Sequence, residues 1–350
     1  MHQPPNAVSP AAHRSRSAVT GGECTQLSLP YPRVVRRIVE GQPIPPLPNG
    51  AVVAIGTFDG VHRGHHAVLA EVRRQADELD VPAVALTFDR HPASVVRPES
   101  APRHLTTLSQ KLEQIERCGI DIAHIVRFDE DRMLESPEQF FSEFVLGTWH
   151  SRVVVAGEHF HFGHRRRGDV AVLEEAGARF GCKVAVVPLV VDEQLGAPIS
   201  SDAIRSALAN TDVAGAARLL GRPYELYGVV ETGDQRGRTI GFPTANIAVA
   251  GDVQLPGEGV YAGSYERADG SVHKAAINVG RRPTFSDEHG VLLVEAYLLD
   301  FDGDLYGEIA RVRFAAWLRG EVKFDSVDDL VAQMRRDVDT AREILATSSI

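Results

Sequence analysis

Cysteine is scarce in this chain. Cys24, Cys118 and Cys182 are the three in 350 residues. They are odd in number, scattered, and form no C-x-x-C pair. Neither a disulfide framework nor a zinc site is indicated, and a reducing cytoplasm is the expected compartment. Long apolar runs are missing as well. The longest, residues 184–191, is interrupted by Pro188 and falls far short of a membrane span. Positive charge is in deficit: 37 Lys and Arg against 47 Asp and Glu give a formal net charge of -10. That is the wrong sign for coating nucleic acid or an anionic membrane, though a local nest of amides and a few arginines can still receive a small anion. No G-x-x-x-x-G-K-[ST] occurs, and no G-x-G-x-x-G follows the first strand with an acid about 20 residues on, which removes a Walker loop and an NADP-type dehydrogenase. Residues 1–40 hold few large apolar side chains and no apolar segment behind a basic start. They read as a disordered tail and lead-in, not a secretory signal.

What is present suits a packed protein of about two domains. Apolar residues make up 43% and charged residues 24%, so a sizeable core can form. From residue 41 to 215, short apolar runs alternate with amphipathic stretches. Strands are expected at 51–55, 83–88, 123–128, 153–156 and 184–190, with helices at 66–78, 109–118, 137–146, 170–179 and 202–209. This alternation predicts an α/β domain with a parallel, Rossmann-like sheet covered on both faces and ligands beyond the carboxyl ends of its strands. A second domain is expected at 216–350: after residues 221–223 the texture changes, and 224–320 are rich in Val, Tyr and Ile separated by turn signals. That predicts an antiparallel β-barrel, with Asp269-Gly270 and Asp302-Gly303 as hairpin turns, and a final helix over 326–345. Each domain is expected to hold its own core.

Two constellations carry chemistry. Residues 55–66 read IGTFDGVHRGHH between a strand and a helix. Gly56, Gly60 and Gly64 allow close approach of backbone to ligand, and the helix start offers free amides to an anion. His62 and His65 lie three apart, so they can face one pocket and donate to charge building on a phosphate. A zinc reading of that pair lacks a third ligand at the usual spacing. The second constellation, TGDQRGRTIGFPTANI at 232–247, runs a Gly-rich loop into a strand. Gly233, Gly237 and Gly241 permit a phosphate cradle. Thr244 and Asn246, two apart on a strand, share a face and offer hard oxygens suited to Mg2+. Glu295 sits inside the apolar run 291–299, where burial would raise its pKa toward that of a general base.

These segments resemble a known family. GTFDGVHRGH, TFDRHP at 87–92, GEHFHFG at 157–163 and ISSDAIR at 199–205 are similar to the adenylyltransferase module of bacterial bifunctional FAD synthetases. RGRTIGFPTANI, GVYAG at 259–263, NVGRRPTF at 278–285, EAYLLDFDGDLYG at 295–307 and WLRGEVKFDS at 317–326 resemble the riboflavin kinase module, in the family's order. The resemblance implies riboflavin, FMN and ATP as substrates. By it, Gly56, Phe58, Asp59, Gly64, Ser200, Ser201 and Arg205 bind ATP phosphates in the first module, with His62 and His65 stabilising the phosphorus under attack. In the second, Thr244 and Asn246 hold Mg2+ and phosphates, and Glu295 takes the proton of the ribityl hydroxyl. Three positions depart from the pattern: Asp202 stands where the family has Thr or Ser, His159 where it has Asn or Asp, and Arg90 where it has Pro. An Asp capping the helix start would compete with a triphosphate for its amides, at a cost on the order of 4 kcal/mol for charges about 4 Å apart in an effective dielectric of about 20. The residues alone therefore leave open a riboflavin kinase with a degenerate or repurposed adenylyltransferase domain, and a non-catalytic flavin-binding regulator.

Overall fold

Runs of five or six apolar residues with no polar alternation can be buried on both faces only inside a sheet covered on two sides, and the first strands behave so. This computed structural model describes residues 35–233, 237, 240–284 and 287–347, with side chains set aside at 282–292. The tail reading, with Cys24, lies outside the described residues apart from the short stretch from residue 35 on. The sheet strands are β1 (Arg36–Val39), β2 (Ala51–Ile55), β3 (Ala83–Phe88), β4 (Ile122–Val126), β5 (Ser151–Gly157) and β6 (Lys183–Val187). They pair in parallel in the order β1-β4-β3-β2-β5-β6. Every residue of β2, β3 and β4 is buried. β1 falls inside the stretch read as a lead-in. Its four residues RRIV are too short to signal a strand, and pairing with β4 makes it one.

Helices α1 (Arg63–Leu79), α2 (Ala93–Val96), α3 (Leu108–Arg117), α4 (Glu130–Leu134), α5 (Pro137–Phe140) and α6 (Val170–Phe180) connect the strands. A wide π-type turn over Phe141–Thr148 extends α5. The chain runs outward from β2 to β3 and β4, then returns to place β5 on the other side of β2. The sheet thus reverses direction between β2 and β5, the point where open α/β sheets form a ligand crevice. A two-residue hairpin, β7 (Val191–Asp192) and β8 (Ala197–Pro198), precedes α7 (Ser201–Ala209) and α8 (Val213–Leu220).

The second half closes into a barrel of β9 (Tyr224–Glu231), β10 (Ala245–Val249), β11 (Gly259–Glu266), β12 (Val272–Thr284), β13 (Asp287–Leu298) and β14 (Ile309–Arg319), in the order β10-β13-β12-β11-β14-β9. Helix α9 (Val327–Thr347) lies against its outside through Ala341 and Leu345. Asp269-Gly270 does turn the β11–β12 hairpin, with Arg267 and Ser271 bonded across it. Asp302-Gly303 does not turn one. β13 and β14 are not neighbours in the barrel, so residues 299–308 form a crossing loop instead. The local turn signal was real, but strand pairing is a long-range choice.

The sheet half holds its own core on each face of the sheet, but the barrel's core is shared. Ile204 and Leu208 of α7, Val213 and Leu219 of α8, and Leu105 join Tyr224, Leu226, Ile277 and Phe314 in one buried cluster. Barrel closure leaves an apolar end that the two helices plug.

Candidate active sites

The first site forms where β2 and β3 end. Phe58, Gly60 and Val61 have φ of 48°, 78° and 39°, a tight left-handed turn that points the chain into α1. His62 is the N-cap of α1, and its Nδ1 accepts from the His65 amide at 3.3 Å. A neutral ring whose Nδ1 accepts carries its proton on Nε2, so that atom is a donor. The His62 and His65 rings stack with centroids 3.7 Å apart, and Phe58 meets His65 edge-on. Burial, reinforced by His66 and Arg222, pushes His62 down to about 3. Burial and the neighbouring His62 hold His65 well below the ordinary imidazole value. Both rings are thus neutral donors at physiological pH.

Helix α7 brings its start to this turn. The Ser201 hydroxyl donates to the Asp59 carbonyl at 2.9 Å, and the Arg205 guanidinium pairs with the buried Asp59 carboxylate. The other Asp59 oxygen accepts from the Leu105 amide at 2.9 Å. A Cβ on Gly64 would come within 3.7 Å of the Ile199 carbonyl, so GTFDGVHRGH and ISSDAIR, 135 residues apart from Gly64 to Ile199, form one site.

Asp202 does not behave as its position in the sequence suggests. The cap of α7 is Ser200, whose hydroxyl accepts from the Ala203 amide at 3.1 Å. The Asp202 side chain is 88% exposed and paired with Arg205 at 2.6 Å. It points off the helix flank, away from the amides it was expected to occupy, because N-cap geometry needs an extended backbone and Ser200 has it. Arg165, Arg166, Arg167 and His159 are exposed.

Sequence reading missed Lys111. It lies on the buried face of α3, where its ammonium donates to the carbonyls of Phe88 (2.8 Å) and Thr57 (3.2 Å) and ties the ends of β3 and β2 together. Burial lowers its pKa to about 8, against the pull of Asp59 and Asp89. A lysine at a buried helical position was the available signal.

The buried imidazoles carry a prediction for stability. Unfolded, they take up protons near pH 6.5; folded, His62 does so only near pH 3. The unfolded state binds more protons in between, so stability falls as pH drops below 6.5. At pH 5 a histidine held that low costs about 2 kcal/mol. Urea midpoints should fall between pH 7 and pH 5, and a His62→Gln/His65→Gln chain should lose much of that slope. An unaltered slope would assign the acid sensitivity to other groups.

The second site lies on the outer wall of the barrel. Asn246 of β10, Glu295 of β13 and Asn278 of β12 are directly opposite one another across three strands, which brings side chains on one face within reach. Their neighbours Ala245, Ile247, Val294, Ala296, Ile277 and Val279 are buried in the barrel interior. Alternation therefore turns the polar row outward. Glu295 stands partly exposed on a cavity wall; the deep burial expected from its apolar run is absent, because alternate residues of that run face opposite sides. A cavity of about 1010 Å³ opens there, lined by Thr244, Asn246, Asn278, Glu295 and Tyr297 and roofed by Leu330, Met334 and Val338 of α9. Arg319 projects into it, held by Asp337 of α9 at 2.7–3.0 Å. Glu321, whose carboxyl is pushed up mainly by burial and also by Glu258 and Glu295, faces Gly280, where a Cβ would lie 2.1 Å from its oxygen. Asn278, Arg319 and Glu321 sit in segments that the sequence flagged without assigning them roles.

Of the Gly-rich loop, Gly233, Gly237 and Gly241 are described; residues 234–236 and 238–239 lie outside the described residues. A Cβ on Gly233 would sit 2.2 Å from the Asn246 side-chain amide nitrogen, so a side chain there would displace that amide. Among the described residues no three His, Cys, Asp or Glu converge as a metal cage. The neutral hard oxygens of Thr244 and Asn246 beside Glu295 do fit a Mg2+ that keeps its waters and arrives with substrate phosphates.

Comparison with known proteins matches both halves. The FAD synthetase family profile matches residues 44–203, and the riboflavin kinase profile residues 220–345. The chain is 38% identical over 296 residues to the bifunctional riboflavin kinase/FMN adenylyltransferase of Haemophilus influenzae, covering 84% of this chain and 94% of that one. Proteins of the same name from Listeria monocytogenes (38%, covering 84% and 92%) and Bacillus subtilis (35%, covering 82% and 90%) are similar to it. A crystal structure described as a macrolide-efflux protein from Streptococcus pneumoniae superposes with a TM-score of 0.77 at 31% identity, over 84% of this chain and 94% of the other. Among the described residues no helix is long and apolar enough to cross a membrane.

Proposed function

Since the chain belongs to the bifunctional riboflavin kinase/FMN adenylyltransferase family and carries both activities, we propose that the two reactions divide between residues 41–215 and 216–350. The barrel wall phosphorylates riboflavin, and the β2–α1 turn adenylylates FMN. ATP is the co-substrate of both. The row Asn246–Glu295–Asn278 carries the kinase assignment, because it sets a carboxylate between two neutral amides in one cavity that Thr244 also lines.

Riboflavin's ring suits the apolar wall formed by α9, with the ribityl chain directed at Glu295. That carboxylate accepts the proton of the terminal hydroxyl as the oxygen attacks the γ-phosphorus of ATP, and ADP leaves. Thr244 and Asn246 would hold Mg2+, which neutralises charge on the phosphates. At the other site a phosphate oxygen of FMN attacks the α-phosphorus of ATP and pyrophosphate leaves. Neutral His62 and His65 donate to the oxygens that gain charge, while the α7 start, with Ser200 and Ser201, faces the phosphates. Gly56 and Gly64 keep the backbone open beside them. Asp202, exposed and clear of the helix amides, leaves that start available. Mg2+ and a cytoplasmic setting belong to this reading, and neither site calls for nucleic acid or membrane.

Incubation with riboflavin, ATP and Mg2+ should yield FMN and FAD. Thr244→Ala and Asn246→Ala should each remove most kinase activity and raise the Mg2+ concentration required, leaving FMN adenylylation intact. Full kinase activity of both variants at low Mg2+ would move the ion elsewhere.

A further inference from the structure

We propose that Arg222, which joins α8 to the barrel, is a positioning residue for adenylyl transfer: it holds the 58–61 turn in the backbone geometry that aims His62 and His65. The inference rests on assigning that turn to the adenylyl site.

The turn is strained. Gly60 takes its φ of 78° freely, but Phe58 at 48° and Val61 at 39° do not, and such conformations persist only where the surroundings fix them. The carbonyls show what does so. Thr57 accepts from Lys111 and Thr87, and Asp59 from Ser201. Gly60 and Val61 accept from the two terminal nitrogens of Arg222, at 2.7 and 3.0 Å. Lys111, Thr87 and Ser201 belong to the sheet half. Arg222 reaches the turn from the junction with the barrel. Its Nε is buried without a hydrogen-bond partner, so the fork is committed to the turn. A planar guanidinium spans two successive carbonyls, which an ammonium does less well.

Both neighbours of Arg222 fix its place. Gly221, at φ 80°, terminates α8 by donating to the Ala217 carbonyl, and β9 begins at Tyr224. A Cβ on Gly60 would meet Leu105 at 2.8 Å and Leu220 at 3.4 Å, so the turn also packs against these side chains. Val61 leads directly into His62, whose ring caps α1 and stacks on His65. Loss of the fork frees the carbonyls at the point where the imidazoles are aimed. The guanidinium charge also helps keep those imidazoles neutral.

The test uses the full chain with Arg222→Met and Arg222→Lys, measuring both activities. In the Met variant kcat for FMN adenylylation should fall roughly 10–100-fold, the scale of a small misplacement of catalytic groups, with the KM for ATP little altered. The Lys variant, able to bind one carbonyl, should recover part of the loss. Riboflavin phosphorylation, which reports the fold, should stay unchanged in both. An unaltered adenylylation kcat in the Met variant overturns the proposal. Equal loss of both activities in both variants also does, by making Arg222 a structural residue only. A His62→Ala chain separates the two levels: if it keeps full adenylylation, the site assignment fails. If it loses adenylylation while Arg222→Met does not, only the clamp fails.

Discussion

Glu295→Gln should lower riboflavin phosphorylation by roughly 10²–10⁴-fold, the usual contribution of a positioned proton acceptor, while FMN adenylylation by the same polypeptide continues. The amide keeps the size and polarity of the side chain but cannot take the hydroxyl proton. Its place between Asn246 and Asn278 is set by backbone pairing across β10, β13 and β12, so the substitution leaves the wall intact and flavin binding should survive. Flavin fluorescence on binding and product separation by chromatography measure the two quantities. Near-normal FMN formation would remove Glu295 from the mechanism and direct attention to Glu321, another of the carboxylates lining the cavity.

His62→Ala should lower FMN adenylylation by roughly 10²–10³-fold, the effect of deleting one donor to developing charge, with riboflavin phosphorylation unaffected. The ring does two things. Its Nδ1 accepts the His65 amide, and in the proposed reaction its Nε2 donates toward the phosphate. His62→Asn offers an oxygen to the amide and an N–H to the phosphate, so it should retain more activity than Ala. Because burial keeps His62 neutral down to about pH 3, the rate of adenylylation should show no inflection from this group near pH 6.5. A rate that collapses with ordinary histidine titration would mean that the charged imidazole, not the neutral one, is what the reaction loses or needs.

Much of this was legible in order along the chain. The buried runs 51–55 and 83–88, the switch to turn-rich β texture after residue 221, and the motifs around His62 and Thr244 are local patterns. Local patterns survive without knowledge of the fold, since side-chain periodicity and glycine placement are set within a few residues. β1 was not legible, because four residues of mixed polarity form a strand only once β4 offers its edge. The Asp302-Gly303 turn was legible but misleading, because the loop it shapes crosses the barrel rather than closing a hairpin.

By itself the sequence determined the parallel sheet, the barrel and the kinds of chemistry, and it named candidate residues for them. Tertiary structure decided what those residues face. Asp202 and Ser200 are two positions apart, yet Ser200 caps the amides and Asp202 stands 88% exposed. Glu295 lies in an apolar run, yet alternation turns it to the outer wall and a cavity. Arg222, unremarked between a helix and a strand, reaches back 160 residues and more to two carbonyls of the turn before His62. The physical reason is the same in each case. Composition fixes what a side chain can do, but which group it meets depends on contacts between segments distant in sequence, and those exist only after the chain has closed on itself.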